Sequence, residues 1–184
     1  AAAKDTEGEM LFYQSKVCEG VFHRISSGTT RDGLEVFGKM EKGYLLSVDS
    51  NWDMYGDGYL SGHYFSEGAL REQLEKAYPG LVFTEEPVEN QINMYKRDKV
   101  GHILFLTVGN KTISGEEFRQ LLELPSSNFT MQAADGKIRF LCKGQGHGLG
   151  LSQYGGNVLA KEGKSYKEIL RYYFPECGVQ KKDS

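Results

Sequence analysis

The sequence predicts an α+β fold: a β-rich domain with a few helices and a helix–hairpin–helix insert. Three observations carry this. Eleven tyrosines and ten phenylalanines favour strands, and 23 glycines in 184 residues favour tight turns and bulges between them. Apolar residues alternate along Ile138, Phe140 and Cys142, and His102, Leu104, Leu106 and Val108 share one face, the period of a half-buried strand. Two Ser-x-x-Glu capping boxes, Ser114 with Glu117 and Ser165 with Glu168, open apolar helical runs that each end at a proline.

Taken in order, residues 10–13 and 17–23 read as two strands joined by Gln14-Ser15-Lys16. The small polar run at 26–33 is loop. Residues 44–48 form a short apolar strand, followed by a turn-rich stretch in which Trp52 is a packing anchor. Ser66 caps a helix with Leu70, Leu74 and Ala77 on one face, ending at Pro79-Gly80. Strands follow at 92–95 and 102–108, and Lys96-Arg97-Asp98-Lys99 between them reads as a solvated hairpin tip. The helix after Ser114 carries Phe118, Leu121 and Leu122 and closes at Pro125. Residues 63–127 thus form an insert or subdomain, structural or a lid beside a site, without a catalytic constellation. The last helix carries Ile169, Leu170, Tyr172 and Tyr173 as far as Pro175, with Tyr172, Tyr173 and Phe174 read as core.

Composition excludes several function classes. A net charge of −3 makes no electrostatic case for nucleic acid, and no apolar run approaches a membrane span. The chain opens at Ala1-Ala2-Ala3 rather than methionine, so nothing about export follows from its start. Cys18, Cys142 and Cys177 make no disulfide framework. They read as separate thiols, with at most one intrachain bridge possible. His23, His63, His102 and His147 show no metal-ligand spacing, and no metal or cofactor is expected.

The densest chemistry lies at 144–156, where glycines interleave with His147, Ser152, Gln153 and Tyr154 between a strand and a helix. So much glycine implies positive φ or close backbone approach. A dinucleotide loop starting at Gly144 fails on register, because Leu149 stands where glycine is required, and no Gly-Lys-Ser/Thr ending exists. The segment is read as a ligand-contacting loop.

These residues also carry a resemblance. Gly144 to Gly156, then Ala160, Gly163, Ser165-Tyr166, Ile169-Leu170 and Tyr172-Tyr173-Phe174-Pro175, resemble the C-terminal signature of the stage II sporulation protein D (SpoIID) and amidase-enhancer family. Phe22-His23 with Ser26-Ser27-Gly28, Glu35 to Gly38, Tyr44 to Ser50, and Ser114 to Leu124 resemble further family segments in the same order. The resemblance covers the C-terminal two-thirds of the family domain. It implies that residues 1–184 form a SpoIID-like domain lacking its N-terminal catalytic portion.

The family implies a bacterial, extracytoplasmic or envelope-anchored protein acting on peptidoglycan glycan strands, similar to the lytic transglycosylases of sporulation and engulfment. The alternative is a non-catalytic amidase enhancer or glycan-binding module, with other cell-wall hydrolases as possible partners. In the lytic members the acid is a glutamate in a Gly-Glu-Met-Pro motif. Here Gly8-Glu9-Met10 is followed by Leu11, and its place in the order matches a later strand of the family. Glu9 is therefore expected to be an ordinary strand residue, and no catalytic residue is assigned in this chain. Transglycosylation uses one carboxyl group as acid and then base, unlike the two-carboxylate hydrolase scheme. The substrate-binding set expected from the loops is His23, Ser26, Ser27, Gly146, His147, Gly148, Ser152, Gln153 and Tyr154, converging in one cleft. Some relatives carry zinc near the serine-rich loop, of which only His23 would remain here.

Overall fold

A computed structural model describes residues 6–181; the first five and last three positions of the expected 1–184 domain lie outside the described residues. The described chain is an α+β fold of four small sheets and five α-helices. Strands β1 (Glu9–Tyr13) and β2 (Lys16–Val17) form a hairpin whose turn residues Gln14 and Ser15 both have positive φ. That left-handed pair matches the twist of a two-residue hairpin turn. On its other edge β1 pairs with the last strand, β11 (Gly178–Lys181).

The strand expected over 17–23 is interrupted. Its second part, β3 (Phe22–His23), leaves β1 and pairs in parallel with β10 (Leu151–Ser152), directly after the glycine loop. Nor is there a strand over 44–48. Tyr44 and Leu45 are buried, but the backbone there meets the 28–33 loop through separate contacts, such as Thr30 N–H to the Val48 carbonyl and Gly33 N–H to that of Leu45. A short helix, α1 (Gly33–Phe37), begins where loop was expected. Asp32 accepts from the Glu35 amide at its start, and left-handed Gly38 ends it.

The middle of the chain departs from a helix–hairpin–helix. Strand β4 (Leu60–Phe65) precedes α2 (Glu67–Ala77), which Ser66 caps as expected. Strands β5 (Ile92–Arg97) and β6 (Ile103–Val108) form the expected hairpin, but β7 (Lys111–Ser114) adds a third strand before α3 (Gly115–Leu121). Strand β4 pairs along β9 (Lys137–Lys143), with β8 (Phe129–Ala134) on the other side. One apolar core therefore runs from Leu70 to Cys142, and Phe118, Phe129 and Phe140 meet in it with ring centroids 5.4–5.7 Å apart. A second core gathers Leu11, Tyr44, Leu45, Leu149, Leu159, Tyr173 and Phe174 under α4 (Gln153–Lys161) and α5 (Tyr166–Tyr173). Both predicted capping boxes are formed, on α3 and α5. Tyr173 and Phe174 are core as expected, whereas Tyr172 is partly exposed and its hydroxyl donates to the Asp49 carbonyl.

Candidate functional site

The glycine loop leaves β9 at Lys143 and returns as β10 and α4. Gly144, Gly146, Gly148 and Gly150 all have positive φ, so the chain reverses hand at every second residue. Gly146 shows why no side chain is tolerated: at φ 105° an added Cβ would stand 2.8 Å from the Cβ of His23. Many of the loop's amides are used within the chain. Gly144 donates to Tyr59, Gln145 to Ile25, Gly146 to Pro125 and Leu151 to Val21.

The serine-rich loop packs directly against the glycine loop. Arg24 and Ile25 amides donate to the Gln145 carbonyl, Tyr154 N–H to that of Arg24, and Arg31 N–H to that of Gly148. Asp53 ties the two loops together. It is fully buried, and its carboxylate accepts from the Ser26 amide at 2.7 Å and from the Ser152 hydroxyl at 2.9 Å. Ser152 also caps α4, accepting from the Gly155 amide. Ser26 and Ser152 are buried structural groups here. Ser27 is half-buried, its carbonyl accepting from the Tyr59 hydroxyl. Gln153 is exposed and Tyr154 half-buried on the first turn of α4.

Three histidines collect beneath the loop, all neutral at pH 7. His23 Nδ1 lies 3.0 Å from the Leu149 carbonyl, so it carries the proton, and burial pushes the ring down to about 4. His102 Nδ1 is 3.0 Å from the Ser127 hydroxyl. Burial, with the Arg31 cation second, holds it well below the ordinary value. His147 accepts the Leu149 amide at Nδ1 and is also lowered, chiefly by burial. The His23 and His147 rings meet edge to face at 5.9 Å. Among the described residues no group of three or more His, Cys, Asp or Glu is placed to hold a metal ion.

The expected solvated tip is corrected here. Lys96 and Arg97 belong to β5, and Asp98 turns inward to meet the Arg31 Nε at 2.6 Å, with both side chains under 5% exposed. Its other oxygen accepts the amides of Val100 and His102, while Arg31 Nη1 donates to the His147 carbonyl. A buried cation is tolerated only with such pairing. This pair fixes the β5–β6 turn to both loops.

Between the two cores opens a cleft of about 490 Å³. Its walls are α1 with Val36 and Phe37, β6 with Leu104 and Phe105, and α3 with Glu116, Arg119 and Gln120; His147 and Leu149 come from the glycine loop. Phe37 and Phe105 are both more than 40% exposed. Arg119 Nε donates to Glu116 Oε1 at 2.7 Å, and Glu116 Oε2 is buried with no partner among the described residues. An apolar cleft with a few polar groups inside it is the usual form of a small-molecule site. Among the residues expected from the sequence, His147 alone lines it. Arg31, Asp53, Asp98, Glu116 and Arg119 were not anticipated.

Glu9 lies in β1, as expected, and pairs with Lys181. The Tyr166 hydroxyl donates to its carboxylate at 2.7 Å and Lys167 sits 3.0 Å away, holding its pKa below the ordinary value. Such a carboxylate is ionised at neutral pH and has no proton to give a leaving group.

No family model matches the chain. Known proteins do match it. The chain is 31% identical over 183 residues to the stage II sporulation protein D of Bacillus amyloliquefaciens, covering 100% of this chain and 51% of that protein. It is 28% identical over 184 residues to that of Bacillus subtilis (strain 168), again covering all of this chain and 51% of the relative. These matches make the chain SpoIID-like over its whole length. An 88-residue stretch is also 32% identical to the amidase enhancer of Bacillus subtilis, covering 48% of this chain and 12% of that protein. The SpoIID-like chain spans about half the length of the sporulation relatives it matches. No helix among its described residues is long and apolar enough to cross a membrane.

Proposed function

We propose that this SpoIID-like chain holds a peptidoglycan glycan strand in the cleft between its two cores, as part of an extracytoplasmic cell-wall protein that cleaves such strands by lytic transglycosylation. The observation that carries this reading is the cleft itself. Phe37 and Phe105 offer exposed ring surface to the apolar face of a sugar, and His147, Glu116, Arg119 and Gln120 surround it with hydrogen-bonding groups. Within the expected binding set, His147 meets the sugar directly. His23, Ser26, Ser27, Gly146, Gly148 and Ser152 act by shaping the loop that presents it, whereas Gln153 and Tyr154, on the first turn of α4, do not line the cleft. The general acid belongs to the part of the relatives' length that this chain does not span, and residues 63–127 form a subdomain that contributes the α3 wall.

Purified glycan strands incubated with this chain are therefore expected to bind but to release no 1,6-anhydromuramyl products by mass spectrometry. Absence of the acid removes a contribution on the order of 10²- to 10⁴-fold in rate. Products from this chain that vanish with Glu9→Gln would overturn the assignment. The match to an amidase enhancer supports a second reading, a non-catalytic partner of another cell-wall hydrolase. Acceleration of a purified amidase by this chain, with glycan binding lost, would favour that reading instead.

A further inference from the structure

Away from the loops that bind the two cores together, two thiols face each other. Cys18 follows β2 and Cys177 precedes β11, the two strands that flank β1, and their sulfurs stand 3.6 Å apart across a sequence separation of 159 residues. The Cys18 amide continues the ladder by donating to the Leu11 carbonyl, and the Cys177 amide donates to that of Phe174, so both backbones are held. Both side chains are half-buried against the second core, and Cys18 also lines a surface pocket with Tyr13 and Met40. Cys142 is different. It is fully buried in the other core, where burial pushes its thiol up to about 12.

We propose that Cys18 and Cys177 are a redox pair that closes to a disulfide on meeting a disulfide-bearing oxidant, locking β2 and β11 on either side of β1. A sulfur–sulfur bond is about 2.05 Å long. Closing the present gap asks for a shift of roughly 1.5 Å, within reach of small side-chain rotations. The Cys18 thiolate attacks the oxidant's disulfide and releases one oxidant thiol, leaving a mixed disulfide. Cys177 then gives up its proton and attacks the Cys18 sulfur, releasing the second thiol. The pair loses two electrons and two protons, and the oxidant gains both. Burial raises both thiols, Cys177 to about 12, so closure accelerates as the pH rises. An oxidising compartment closes the pair, and a reducing cytosol keeps it open. The proposal does not depend on what the cleft binds.

The test exposes the full chain to glutathione disulfide at mildly alkaline pH, then alkylates it under denaturing conditions and maps peptides by mass spectrometry. The expected product has lost two hydrogens, joins the Cys18 and Cys177 peptides, and leaves only Cys142 to alkylate. Cys142→Ala is expected to form the same bridge, whereas Cys177→Ser strands Cys18 as a glutathione adduct. Closing so long a loop is expected to raise Tm by about 5–10 °C, reversed by reductant and absent in Cys18→Ser. Three alkylated cysteines after oxidation, a bridge that includes Cys142, or an oxidised form melting no higher than the reduced one would each overturn the proposal.

Discussion

Replacing Asp98 by alanine is expected to destabilise the fold by about 3–5 kcal/mol, the usual consequence of leaving a buried charge without its partner. Arg31 would keep its cation in a site where its side chain is 4% exposed, and the Val100 and His102 amides would lose their acceptor. Denaturant melts should show an earlier midpoint with little change in slope. Arg31→Met alone should also be severe, because it strands the carboxylate. The double variant Arg31→Met/Asp98→Asn removes both charges and keeps an oxygen for the two amides. It should recover much of the loss, a coupling that only a direct pair produces. Losses below about 1 kcal/mol in both single variants would mean that the pair is solvated in solution.

The second large effect is a loss of stability in acid. His23 titrates near 4 in the folded chain and near its ordinary 6.5 when unfolded. Between those values the unfolded state binds the extra proton, so stability is complete above about pH 6.5 and falls as the pH drops towards 4. At pH 5 the His23 share is about 2 kcal/mol. Burial lowers His102 and His147 too, so they add in the same direction. Stability measured against pH should therefore fall less steeply between 7 and 5 in His23→Gln. An unchanged slope would show that His23 titrates alike in the folded and unfolded chain.

Much of the fold was legible because its causes are local. The capping boxes of α3 and α5, the Ser66 cap and the alternating run into Cys142 each announce themselves within a few residues, and all are formed. What the sequence hid is long-range pairing. Asp53 joins Ser26 and Ser152 across separations of 27 and 99 residues, and Arg31 meets Asp98 across 67. Nothing in a polar run reveals which of its charges turns inward, so Asp98 read as solvated tip. Residues 44–48 have strand composition, but they face a loop with no continuous ladder, and β3 takes its partner from beyond the glycine loop. The cleft was missed for the same reason. Its walls come mainly from α1, β6 and α3, and the motif-rich loops supply only Arg31, His147 and Leu149.

Binding of end-labelled glycan strands, stripped of stem peptides and followed by fluorescence anisotropy, tests the central claim most directly. His147→Ala, Phe105→Ala and Arg119→Ala should each raise Kd by about tenfold, equivalent to roughly 1.4 kcal/mol per contact. Glu9→Gln, outside the cleft, should bind as the parent does. Parent affinity in all three cleft variants would contradict the account and place the glycan elsewhere on the chain.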